Sequence, residues 1–546
     1  MTAATETLIS PAARRESLAG TARLARLALR RDRVRIPVWA LSLGGFIAYF
    51  GAVMPVVYPE PELLQARAAI MLDPSGAFMT GPGYGLDNYT FGTMLANEIL
   101  GMLAIGSALM SIFLVVRHTR TEEETGRSEL IRANVVGRYS QLTAALFDVV
   151  VANAAVALVL WAALAGNGFA AADSLAFALG VAVVGLVFGA VAVVTAQVAE
   201  HSRTAAGGAG AVLGLAYVLR GVGDAQELGG SVLSWLSPIG WIQQTRAFAD
   251  LRWWPLLLGI ALALVLLPVA YALAGRRDVG AGLIAARRGR PDARPRLLSP
   301  FGLAFRLERG SLYGWATGLA VFALLTGSMG EGIVESFEAQ PQLAELFGAG
   351  SEGDILRVTM GAMLAFFAMA VAVYAVIAVN HLRREEGEGR TGAVLGTAIS
   401  RPAWIGSTLA VTAVNSTLLL LVSGFGLGVG LAASAGQTAE IVWDFTVAPL
   451  VHLPVVLAFA GLAAIAYGIG RGTWWVWVLV VGSIIVGMYG SVFGIDRSII
   501  EASPFWLPPR LPAEAFALAP LAGLSAVAAG LLTLGTWLFG RRDLAA

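Results

Sequence analysis

Long apolar runs, most of them about twenty residues or more and separated by polar stretches, recur along the whole chain. A helix needs about 20 mostly apolar residues to cross a bilayer core. Runs of that kind fall at 36–58, 93–116, 141–166, 172–198, 204–220, 253–274, 312–329, 357–379, 405–432, 444–468, 474–492 and 517–539. The pattern predicts an all-α membrane protein of about twelve transmembrane helices. The runs at 204–220 and 312–329 are the shortest or richest in glycine. One stretch outside the runs is patterned too: in residues 21–35, TARLARLALRRDRVR, Leu and Ala fall on one side of a helix and Arg on the other. That predicts an amphipathic helix at the inner leaflet, with its Arg near anionic head groups.

Charge sets the orientation. Residues 1–35 hold eight Arg and no apolar core of a cleavable signal. The linker 275–311 holds nine Arg, and the stretches 117–140 and 380–404 are also Arg-rich, whereas 59–92 has only Arg67. Cytoplasmic loops carry the Arg excess. Both termini and the linker are therefore expected in the cytoplasm, as an even span count requires, with the chain in the plasma (inner) membrane. The predicted organisation is a cytoplasmic N-terminus (1–35), a first six-span half (36–274), the linker (275–311), a second six-span half (312–539) and a short cytoplasmic tail (540–546).

The two halves match each other. Leu27, Ala28, Arg30, Arg33, Trp39 and Ala40 recur 276 positions on as Leu303, Ala304, Arg306, Arg309, Trp315 and Ala316. His118, Arg120, Glu122, Glu123, Gly126, Arg127 and Arg138 recur 263 positions on as His381, Arg383, Glu385, Glu386, Gly389, Arg390 and Arg401. Ser237-Pro238 recurs as Ser503-Pro504, and Gly275-Arg276-Arg277-Asp278 as Gly540-Arg541-Arg542-Asp543. With six spans in each half the repeat is parallel, its axis along the membrane normal.

The repeated segment after the second span of each half carries the most chemistry. A Glu-Glu pair before Gly-Arg predicts a short helix, a break and a second short helix, offering carboxylates and guanidinium groups to water or to a docked protein. A solvated loop with weak local ion pairs is the plain alternative for either copy alone; the same order of charges at two equivalent places favours a docking surface. The order Glu-Glu, Gly-Arg, Leu, Arg resembles the coupling region of type 2 ATP-binding-cassette exporter permeases. The whole chain resembles the fused two-half actinobacterial permeases of the polyketide-antibiotic (tetronasin) and multidrug exporter family. The stretch before the first span, the loop 59–92 with Asp73-Pro74-Ser75 and Gly81-Pro82-Gly83-Tyr84, and the Ser-Pro pairs fit that likeness. The resemblance implies a permease subunit exporting hydrophobic or amphiphilic compounds. A separate ATPase, in two copies, would bind ATP and Mg and dock on 117–140 and 380–404. Glu122, Glu123, Gly126, Arg127, Glu385, Glu386, Gly389 and Arg390 would be the transmission contacts. Glu124 and Glu129 have no acidic match in the second copy, which would make the two contacts unequal.

Composition narrows the rivals. Hydrophobic residues make up 57% and charged ones 13%, too few to cover a large wet surface. The net charge of +1 gives no field for nucleic acid. All 37 basic residues are Arg, a usage that suggests a GC-rich genome. With no Lys the phosphate-binding Gly-x-x-x-x-Gly-Lys-Ser/Thr loop cannot be written, so no ATPase site of the chain's own is expected. No Cys and four scattered His leave little for disulfides or a multi-His metal site. Polar residues inside the runs, Asn97, Glu98, Asn153, Asn415 and His452, are candidates for a substrate pathway. A helix–helix hydrogen bond, or for Glu98 a partner Arg, is the structural alternative. Asp148 near the inner end of its run is expected to be solvated. A proton-coupled secondary transporter of the same 6+6 architecture is the chief rival function. It calls for paired acids or His at mid-membrane, which the halves lack; a membrane enzyme would need a metal cluster or nucleophile motif. The purified chain alone is expected to show no ATP hydrolysis above a detergent blank in a coupled phosphate-release assay, and genuine turnover would defeat the subunit reading.

Overall fold

The computed structural model describes residues 17–284, 291–330, 352–434, 439–490 and 495–543. Arg14, Arg15, Arg287, Arg288 and Arg290 of the basic stretches lie outside them. Every regular element among the described residues is helical. The chain divides into two compact units, 1–288 and 289–546, with the boundary inside the Arg-rich stretch 275–311.

In the first unit, α1 (Thr21–Asp32) is the amphipathic lead-in and α2 (Arg35–Val57) the first long apolar helix. An apolar helical run, Phe91–Glu124, contains α3 (Leu100–His118) and ends in the short α4 (Arg120–Glu124). After a break come α5 (Arg127–Arg132), α6 (Ser140–Gly166), α7 (Ala171–Val198), α8 (Ser202–Gln226) and α9 (Pro255–Ala274). The chain itself buries 78% of the apolar window of α7 but only 17% of those of α2 and α9. Helices that are apolar all round and uncovered by their own chain need lipid as solvent. So α7 and α3 form the core, with α2 and α9 as outer helices. The N-terminal lead-in is tied down: Ala25, Ala28 and Asp32 of α1 are buried, and the Ser140 hydroxyl donates to the carbonyl of Ala19 at 2.6 Å.

The second unit contains α10 (Pro300–Ser328), α11 (Glu352–Gly387), α12 (Arg390–Leu395), α13 (Arg401–Ser434), α14 (Ala439–Val447), α15 (Leu453–Gly468), α16 (Trp474–Tyr489) and α17 (Leu518–Arg541). Glycines let α10 and α13 touch backbone to backbone, as small residues do between membrane helices. A Cβ on Gly430 would lie 2.2 Å from the carbonyl of Leu324, and one on Gly327 2.2 Å from that of Leu427.

Among the described residues eleven helices are long and apolar enough to cross a membrane, against the twelve runs in the sequence. The missing one is α16: its 16 residues make about 24 Å of helix, short of a ~30 Å core. Two weak runs belong to longer helices. The run 204–220 lies inside α8, and 312–329 is the end of α10, which begins at Pro300 because its lead-in joins the span without a break. The Ser299 hydroxyl caps that start, accepting from the Gly302 N–H at 3.1 Å.

Gly430→Val should push α10 and α13 apart and cost at least the 1–3 kcal/mol typical of an overpacked core. A thermal melt in detergent should show a clearly lower midpoint, whereas Gly314→Ala, where a Cβ meets nothing within 4 Å, should not.

Candidate functional site

The segments after the second long helix of each unit form bent, charged elbows. In the first unit α3 runs into α4, the chain turns at Thr125-Gly126, and α5 follows. Gly126 takes φ 71°, a left-handed conformation that only glycine adopts readily. In the second unit α11 runs unbroken to Gly387, Gly389 takes φ 74°, and α12 follows. No atom lies within 4 Å of a Cβ at either glycine, so the need for glycine there is conformational, not steric.

The glutamate pair does not face water as the sequence suggested. Glu122 and Glu123 are almost wholly buried, because each has a partner within the chain. Glu122 meets Arg31 of α1 at 2.8 Å and Arg127, across the break, at 3.7 Å. Glu123 meets Arg277, just past the end of α9, at 2.6 Å, and the fully buried Arg120 at 3.0 Å. In the second unit Glu386 is bonded by Arg542, just past the end of α17. Glu385 accepts two bonds from Arg390 at 2.7 Å. These bonds, ahead of burial, hold the Arg390 guanidinium above its ordinary pKa, so it stays charged.

Three further contacts occur in both units. Arg138 donates to the carbonyls of Ala274, Gly275 and Arg277, and Arg401 to those of Gly540 and Arg542. Arg120 reaches the carbonyls of Ala196, Gln197 and Ala281; Arg383 reaches that of Arg471. His118 at the end of α3 shares a hydrogen bond with the fully buried Asp32 of α1, and His381 shares one with Glu308 of α10. The histidine–acid pairs escaped the sequence reading. The signal was present, since the 276-position offset that aligns Leu27 with Leu303 also aligns Asp32 with Glu308.

The outward surfaces of the elbows differ. In the first unit Leu130 is 72% exposed and Val135 94% exposed, beside the exposed Arg127, Glu129 and Arg132. Arg132 lies below its ordinary pKa through burial, then through crowding by Arg277 and Arg138 against the pull of Glu123. Glu124 is tied to Ser202 of α8, accepting its N–H at 2.7 Å and its hydroxyl at 2.5 Å. In the second unit the exposed positions are Arg383, Arg384, Glu388, Arg390 and small residues.

Four of the five candidate pathway residues are held by hydrogen bonds within their own unit. Asn97 and Glu98 sit on a π-turn, Leu95–Ile99. Asn97 holds the backbone of Tyr84 through the Tyr84 N–H at 3.0 Å and its carbonyl at 2.9 Å. Glu98 takes three bonds from Arg67, between 2.6 and 3.2 Å, and one from the Tyr89 hydroxyl at 3.0 Å. Asn153 bridges α6 to α3, accepting from Ser107 at 2.7 Å and donating to Ser111 at 2.9 Å. Asn415 donates to the Tyr374 hydroxyl at 2.8 Å, joining α13 to α11. His452, on a 3₁₀ turn before α15, is buried with Nδ1 unpaired. Asp148 is fully buried rather than solvated.

Residues 23–275 and 297–540 match the family model described as multidrug efflux system permease Rv1217c, C-terminal domain. The chain belongs to the Rv1217c family of efflux permeases. It is 38% identical over 528 residues to the multidrug efflux system permease protein Rv1217c of Mycobacterium tuberculosis (strain ATCC 25618 / H37Rv), covering 96% of this chain and 95% of that protein. Membership in the efflux permease family, with eleven span-length apolar helices, makes this a multi-pass membrane transport component rather than an enzyme. The first matched segment begins in α1 and ends with α9, and the second begins just before α10 and ends with α17, so they span both elbows of the efflux permease.

Breaking a buried ion pair costs about 3–5 kcal/mol, because one charge is left uncompensated. Glu123→Ala should lower the melting midpoint more than Glu129→Ala does. Combining it with Arg277→Ala should recover part of the loss, and a strictly additive double mutant would show that the pair is not coupled.

Proposed function

We propose that the chain is the membrane-spanning permease subunit of an ATP-driven exporter of hydrophobic or amphiphilic compounds such as antibiotics and drugs. In this reading it is of the type 2 ATP-binding-cassette class and related to the tetronasin-type exporters. About twelve spans form two parallel six-helix halves, with both termini cytoplasmic in the plasma membrane. A separate ATPase subunit, in two copies, binds ATP and Mg and docks beneath 117–140 and 380–404.

One observation carries the proposal: in each unit the second glutamate of the elbow is ion-paired with the Arg just beyond the sixth-span helix, Glu123 with Arg277 and Glu386 with Arg542. An elbow joined to α3 by covalent continuity and to the end of α9 by a buried pair cannot move alone. A force applied to its outward face reaches both helices. The inward carboxylates Glu122, Glu123, Glu385 and Glu386 then act as anchors, while the surface around Leu130, Val135, Arg127 and Arg390 makes the ATPase contact. Gly126 and Gly389 set the bend between anchor and contact. The relative named as a multidrug efflux permease supports the substrate class.

A proton-coupled transporter is the second reading. The observation in its favour is Asp148, buried with both oxygens unbonded, 3.7 Å from His118. Against it, the position 263 residues on is Val411, so the acid is not duplicated.

Replacing Glu122 and Glu385 together with Ala should abolish substrate-stimulated ATP hydrolysis in the reconstituted complex while the chain stays folded. Unchanged stimulation would remove those residues from the mechanism. Leu130→Asp with Val135→Asp should weaken ATPase association without lowering the melting midpoint. Efflux that follows a proton gradient and ignores ATP would sink the proposal as a whole.

A further inference from the structure

The start of α10 differs from the start of the first unit in a way the transport reading leaves unused. The linker residues just before it, including the 3₁₀ turn Pro295–Leu298, fold against the first turns of the helix. Between turn and helix lies an open cleft of about 910 Å³. On the helix side Phe301, Phe305, Arg309 and Tyr313 fall four residues apart, which puts them on one stripe. Arg306 stands beside that stripe, and Arg294 and Arg296 enter from the linker.

The electrostatics are one-sided. None of these four guanidinium groups has a hydrogen-bond or carboxylate partner among the described residues, and all four side chains are exposed. Asp292 is the single acid in the lining. This is unlike the elbows, where the acids are matched by Arg. The aromatic rings are exposed as well, and Leu298 beside them is 75% exposed. The opposite face of the same helix is buried through Ala304, Glu308 and Leu312, so the stripe points away from the protein.

Depth identifies the occupant. The helix continues unbroken from the cleft into its apolar run, which begins near Leu312. At 1.5 Å per residue Arg309 and Arg306 lie roughly 4.5 and 9 Å before Leu312 along the axis. The polar layer of a bilayer leaflet is about 5–8 Å thick. Arg309 therefore stands at head-group depth and Arg306 at its outer edge, with the Tyr313 ring at the amphipathic border that aromatic side chains favour. We infer that this cleft is a binding site for the phosphate head group of an anionic phospholipid. Arg306 and Arg309 hold the phosphate, Tyr313 packs along the glycerol and upper acyl region, and Phe301 and Phe305 wall the outer part of the cleft. Assigning the lipid to the inner leaflet, where anionic lipids are taken to concentrate, rests on the orientation proposed above; the site itself does not.

The test uses the full chain in lipid nanodiscs of phosphatidylcholine with a minority of phosphatidylglycerol, followed by native mass spectrometry of the lipids that stay bound. Phosphatidylglycerol should be retained in preference to phosphatidylcholine. Arg306→Gln with Arg309→Gln should weaken retention roughly thirtyfold, at about 1 kcal/mol for each guanidinium near the surface. The matching Arg→Lys pair should keep most of it, which separates lost charge from lost folding. Equal retention of the two lipids, or no change in the Gln variant, would overturn the inference. So would inorganic phosphate competing as well as the lipid in detergent, which marks a soluble-anion site, or preferential capture of a polyglutamate peptide, which marks an acidic protein surface. No ATPase is present in the experiment, so its failure leaves the export proposal standing.

Discussion

A charge buried at the border of a membrane must have a partner, and in this chain that requirement fixes where the elbows sit. Arg277 and Glu123 are both nearly out of solvent, and Glu386 is buried against a partly exposed Arg542. Such a pair adds little net stability, because removing two charges from water offsets most of their attraction. What it adds is register: with either partner displaced, the other is left buried and unmatched. Arg138 and Arg401 reinforce the same joint by donating to the free carbonyls at the ends of α9 and α17, where the helix dipole is negative. The histidine–acid pairs extend it to the lead-in helices.

The two elbows share this joint and differ around it. The first is fastened on several sides: Arg31 holds Glu122 from α1, Ser202 holds Glu124 from α8, and Arg120 is buried among backbone carbonyls. In the second, Glu385 and Glu388 are both held by Arg390 from α12, and Arg383, bonded to the carbonyl of Arg471, is exposed where Arg120 is buried. The apolar knob of Leu130 and Val135 has Ala393 and Ala398 at the equivalent positions. A partner docking on each would meet an apolar knob at one and small and charged side chains at the other.

The helical character was legible because an apolar run of about 20 residues has few other uses. The run at 474–492 is long enough by composition, while α16 itself ends at Tyr489, because composition sets the apolar length and the fold sets where the helix stops. The start of α10 runs the other way: its amphipathic turns carry Arg and read as a separate linker, yet a capped helix passes straight through them. At the elbows the identity of the charged residues was readable and their direction was not. Glu122 and Glu123 look like a wet acidic pair until Arg31 and Arg277, 91 and 154 positions away, are brought to them. For Glu98 a partner Arg was the expected alternative, and it is Arg67, 31 positions earlier. Long-range pairing is a property of the fold, and spacing along the chain carries no trace of it unless, as with Asp32 and Glu308, a duplication repeats it.

The fastening of α9 at both ends has a mechanical corollary. Its 20 residues make a rod of about 30 Å. At one end Arg138 donates to the carbonyl of Ala274 and Arg277 ties the chain just beyond to Glu123; at the other Pro255, Leu256 and Gly259 are buried, and a Cβ on Gly259 would lie 2.4 Å from Val183 of α7. Between those ends little of its apolar surface is covered by its own chain, so the middle of the rod borders acyl tails rather than packed side chains. A push at the elbow would thus be handed along a stiff strut to α7, with fluid rather than a solid core along most of its length.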